Sequence, residues 1–166
     1  MHRRLFFFVT LVIALLAQLT IAPEIRIGVI KPDILLVLTV CWALVEGPGQ
    51  GAIFGFSAGL LEDIFTTATV GVSAFSKTLI GYFTGEVRQR IVSKSVIWPM
   101  LIVFIATIVQ ELLKFMTWTM VGVEEMPPFN FGVIVGLALF DAAITLLIYP
   151  IIGRLAARDE RALMFQ

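Results

Sequence analysis

The chain is 166 residues long, 59% hydrophobic and only 14% charged, with a mean hydropathy of +0.99. Soluble domains run about 45–50% apolar and about 25% charged, so an ordinary soluble domain is excluded and an integral membrane protein is expected. A net charge of zero gives no basic field for nucleic acid, and one cysteine (Cys41) with one histidine (His2) leaves no basis for an intrachain disulfide, a zinc cluster or histidine catalysis.

Six spans are expected within a single membrane domain, 1–166. The first covers about 5–22, behind a basic start. A signal peptide is the competing reading, but the apolar run is long for one, and Thr20-Ile21-Ala22 before Pro23 is a poor cleavage site. A polar loop follows with Arg26, Lys31 and Pro32. The second span, about 33–44, is short for the roughly 20 residues a crossing needs, so full crossing stays open. The turn Glu46-Gly47-Pro48-Gly49-Gln50-Gly51 leads into the third span, about 51–66.

Here Gly47, Gly51, Gly55 and Gly59 recur every four residues, and the next step lands on Asp63. Such a row lies on one helix face and lets a second helix approach closely. The fourth span, about 72–86, carries a second row, Lys77, Gly81 and Gly85. A hairpin folded about 68–71 sets Gly55 against Gly85, Gly59 against Gly81, and Asp63 against Lys77. The fifth span is about 96–121 and the sixth about 131–152, separated by an acidic, proline-bearing stretch at 123–130 and followed by a charged tail at 153–166. That tail reads as a surface helix, a partner contact or a solvated, fraying end.

Lysine and arginine placement orients the spans. With both termini inside, the inner side holds Arg3, Arg4, Arg88, Arg90, Lys94, Arg154, Arg158 and Arg161, and the outer side only Arg26 and Lys31. Six spans, N-in and C-in, keep this bias; removing one spoils it.

Ionisable residues inside spans cost about 2.5–3.5 kcal/mol each on insertion scales and mark function or pairing. The candidates are Glu62, Asp63, Lys77, Glu111, Lys114 and Asp141. Glu111 and Lys114 are three apart on one face. In a hairpin of the last two spans, Asp141 lies level with Glu111, so that Lys114 bridges both carboxylates. Structural pairing is favoured over a proton or substrate path. Trp42, Trp98 and Trp118 lie near span ends, as interfacial anchors do. No serine has a histidine partner or a GxSxG context, and no cofactor or metal set is present in the sequence.

The segment 31–85 resembles the rod shape-determining protein MreD family of bacteria. The resemblance rests on Pro32-Asp33 opening an apolar run and on Trp42-Ala43-Leu44 before a glycine-bearing turn. It continues through Gly51, Gly55, Gly59, Leu60-Leu61, Asp63, Gly71 and Gly81-Tyr82. It implies an all-α integral membrane protein of the bacterial cytoplasmic membrane, similar in fold to the substrate-binding subunits of energy-coupling-factor transporters. It also implies a non-catalytic scaffold of the cell-elongation machinery. The implied partners are an MreC-like protein, an MreB-like filament, a RodA-type glycosyltransferase and a penicillin-binding transpeptidase. Its pattern positions here are Pro32, Asp33, Gly55, Gly59, Asp63 and Gly71. The alternative is a substrate-binding membrane subunit of a vitamin-type transporter, favoured by the intramembrane charges.

Overall fold

A computed structural model describes residues 2–65, 71–88, 95–122 and 130–164. It contains six helices: α1 (His2–Glu24), α2 (Ile34–Glu46), α3 (Pro48–Phe65), α4 (Val72–Arg88), α5 (Ile97–Val121) and α6 (Phe131–Met164). The tight connection expected before Gly71, the basic Arg90 and Lys94, and the acidic stretch at 123–129 lie outside the described residues. The last helix runs on through most of the expected tail, to Met164.

Among the described residues, three helices are long and apolar enough to cross a membrane: α1, α5 and α6, through Leu5–Glu24, Ile97–Met120 and Phe131–Arg154. They expose large apolar side chains, among them Phe8, Ile13, Leu101, Ile105, Leu139 and Leu147. Lipid is the solvent that such surfaces tolerate.

The centre of the bundle is α2. Its 13 residues span ~20 Å at about 1.5 Å each, short of a bilayer core of about 30 Å. Every residue from Ile34 to Leu44 is buried, and α2 touches all five other helices. A helix that is apolar all round must be covered all round, and the other five do this. Near its C-terminal end Trp42 stacks on Phe54 at 5.1 Å, with Phe7 edge-on to both rings. Trp42 is therefore a core residue, 2% exposed, and not the interfacial anchor its place in the sequence suggests. Size and a flat apolar face suited it to the gap between α1 and α3.

The most extensive helix pair is α3 with α4, and glycine makes their close approach possible. A Cβ on Gly51 would meet the Gly81 carbonyl, and one on Gly81 the Gly51 carbonyl. A Cβ on Gly55 would meet the Lys77 carbonyl, one on Gly59 the backbone of Ser73 and Ala74, and one on Gly85 the backbone of Pro48. This register differs from the expected hairpin. Gly55 faces Lys77 rather than Gly85, and Gly59 faces Ser73 rather than Gly81, a slide of about two turns. The cause lies at the start of α4, where Asp63 draws the first amides of the helix onto itself.

Candidate functional site

The buried polar residues converge on the N-terminal end of α2. A helix start leaves its first amide groups without intrahelical acceptors, and here that start is inside the bundle. Asp33 is the N-cap, and its Oδ1 accepts the Leu36 amide at 2.8 Å. Its own amide donates to Asp141 Oδ1 on α6 at 2.9 Å. The next amide, Ile34, donates to Gln18 Oε1 on α1 at 2.8 Å. An unpaired buried amide costs about 1–3 kcal/mol, so α1 and α6 each contribute an acceptor where one is required. The positive end of the α2 dipole adds a further preference for carboxylates here.

The second oxygen of Asp33 gathers cations and amides. Lys77 Nζ on α4 lies 2.6 Å from Asp33 Oδ2 and 2.6 Å from Glu62 Oε2 on α3. Gln110 Nε2 on α5 donates to the same Asp33 oxygen at 2.7 Å, and Lys114 Nζ stands 3.9 Å away. Lys114 pairs with Glu111 at 3.2 Å, and Thr107 donates to Asp141 Oδ2 at 2.9 Å. Lys77, Gln110, Thr107 and Asp141 are wholly buried. One connected network thus ties five helices to the start of the sixth.

Two expected pairings are corrected by this geometry. Lys77 binds Asp33 and Glu62, not Asp63. Asp63, 2% exposed, instead accepts the amides of Gly71 at 2.8 Å, Ala74 at 3.1 Å and Ser73 at 3.2 Å. It caps α4 from the neighbouring helix. Gly71 supplies the backbone bend there, with φ of 104°, a region that disfavours side chains. Likewise Lys114 does not bridge Glu111 and Asp141. It leans from Glu111 toward Asp33, because the hydroxyl of Thr107 and the Asp33 amide already occupy Asp141.

Residues 1–158 match the family described as rod shape-determining protein MreD. The chain belongs to the MreD family. No curated protein and no solved structure matches it. Membership implies a part in rod-shape determination, carried out by a multi-pass membrane protein.

In this MreD-family chain, Asp33 moves from a pattern position at the head of an apolar run to the hub of the network. Gln18, Thr107 and Gln110 were not singled out from the sequence. A signal for them exists: Thr107, Gln110, Glu111 and Lys114 fall at intervals of three, one and three, a polar stripe on one face of an otherwise apolar helix. Gln18 is a lone amide within an apolar run. Among the described residues, no group of three or more His, Cys, Asp or Glu is placed to hold a metal.

Proposed function

We propose that this MreD-family chain is a non-catalytic scaffold of the bacterial cell-elongation machinery in the cytoplasmic membrane. In this reading it docks an MreC-like partner and helps to organise peptidoglycan synthesis alongside an MreB-like filament, a RodA-type glycosyltransferase and a penicillin-binding transpeptidase. One observation carries it. The carboxylates at the heart of the network bind amide, hydroxyl or ammonium groups of this chain, and they fix a short helix buried from Ile34 to Leu44. Polar groups committed to holding the fold are poorly suited to carry a moving ion or solute. The outer helix faces are then what the protein offers to others.

The proposal includes both termini inside, from the lysine and arginine placement, and a likeness of architecture to the energy-coupling-factor substrate-binding subunits. Transport comes second, for the reason just given. Depletion in a rod-shaped bacterium is expected to round the cells, and mild-detergent purification is expected to bring an MreC-like protein with the chain. Rods of normal shape, with no such protein recovered, would overturn the scaffold reading.

A further inference from the structure

A cavity of about 470 Å³ lies between α5, α6 and residues 29–31, within the ~300–1,000 Å³ typical of small-molecule sites. Phe115, Trp118 and Leu137 give it apolar and aromatic walls, and two charged residues, Lys31 and Glu111, line it. The Lys31 side chain makes no ion pair or hydrogen bond among the described residues. Glu111 belongs to the polar network and has 25% of its side chain exposed, more than any other group in its ion pairs.

The charge balance of that network is uneven. Asp33, Glu62, Glu111 and Asp141 bring carboxyl groups, whereas only Lys77 and Lys114 bring ammonium groups. Glu111 is the carboxylate of this set that lines the cavity. An ammonium arriving there offsets the imbalance, and the aromatic faces of Phe115 and Trp118 favour a cation beside them. Lys31 then calls for an anionic oxygen on the same ligand. The cavity opens at the surface, where its lining residue Val29 is 79% exposed. The ammonium of Lys31 is a partner for a phosphate oxygen.

We propose that this cavity binds a zwitterionic head group in which a short linker joins a primary ammonium to a phosphate. The ammonium meets Glu111 and the phosphate meets Lys31. The site stands apart from the scaffold reading and survives its failure. The ligand chemistry is shared by an aminophospholipid and by a free phosphoamine.

The test uses the full chain, purified in mild detergent and stripped of lipid. Native mass spectrometry with added phosphatidylethanolamine or phosphatidylglycerol is expected to show the former retained about tenfold more tightly. Lys31→Met and Glu111→Gln are each expected to reduce that retention about tenfold, as loss of a charge-assisted contact does. The Lys31 side chain holds no other element, so Lys31→Met decides the matter if Glu111→Gln fails to fold by size-exclusion chromatography. Competition by phosphoethanolamine would assign the site to the head group alone. Retention of the lipid without such competition would assign it to the whole aminophospholipid. Equal retention of the two lipids, or undiminished phosphatidylethanolamine binding in folded Lys31→Met, would overturn the proposal.

Discussion

Lys77 is wholly buried and shared between two carboxylates at 2.6 Å each. Removing its charge strands Asp33 and Glu62 inside the bundle. Breaking a buried pair from one side costs about 3–5 kcal/mol, so Lys77→Met is expected to lower stability by about that amount in thermal unfolding in detergent. Adding Glu62→Gln removes one stranded charge, and the double variant is expected to be more stable than the sum of the single losses predicts. Asp63→Asn is expected to show no such rescue of Lys77→Met, because its acceptors serve the amides of Gly71, Ser73 and Ala74. Rescue by Asp63→Asn and none by Glu62→Gln would return the ion pair to Asp63. That four-residue spacing runs from Gly59 to Asp63 was visible in the sequence. What Asp63 would bind was not, since a carboxylate facing a helix start and one facing a lysine look alike from spacing alone.

The α3–α4 hairpin rests on backbone-to-backbone contact. Gly59 has the Ser73 and Ala74 backbone where a side chain would go, whereas Gly49 on the same helix has open space. Gly59→Leu is therefore expected to wedge the pair apart and cut the yield of folded protein several-fold, in line with overpacking costs of about 1–3 kcal/mol or more. Gly49→Leu is expected to be close to neutral. Equal accumulation of the two variants, measured by fluorescence-detected size exclusion, would remove the close-packed hairpin. The short second helix is a related matter. Its apolar run was legible, and so was its deficit in length. Its role was not, because a short apolar run suits both an incomplete span and a fully covered centre.

For the molecule as a whole, the arrangement predicts sidedness that a reagent can read. With both termini inside, Val29→Cys is expected to react with an impermeant maleimide in intact spheroplasts, and Arg154→Cys only after permeabilisation. Native Cys41 is buried and stays silent. Reaction of both, or of Arg154→Cys alone, would reject the N-in and C-in topology. By itself the sequence determined that this protein lives in a membrane, that it is helical, and that two of its helices meet along glycine. Those properties are local: hydropathy, length and a four-residue period are complete within one segment. The tertiary structure alone decided that Asp33 is the hub, that Gln110 and Asp141 bind it from two other helices while Gln18 takes the neighbouring Ile34 amide from a third, and that α3 and α4 are offset by about two turns. Each of these depends on where one helix begins relative to another. A buried helix start must find its acceptors wherever in the chain they happen to lie.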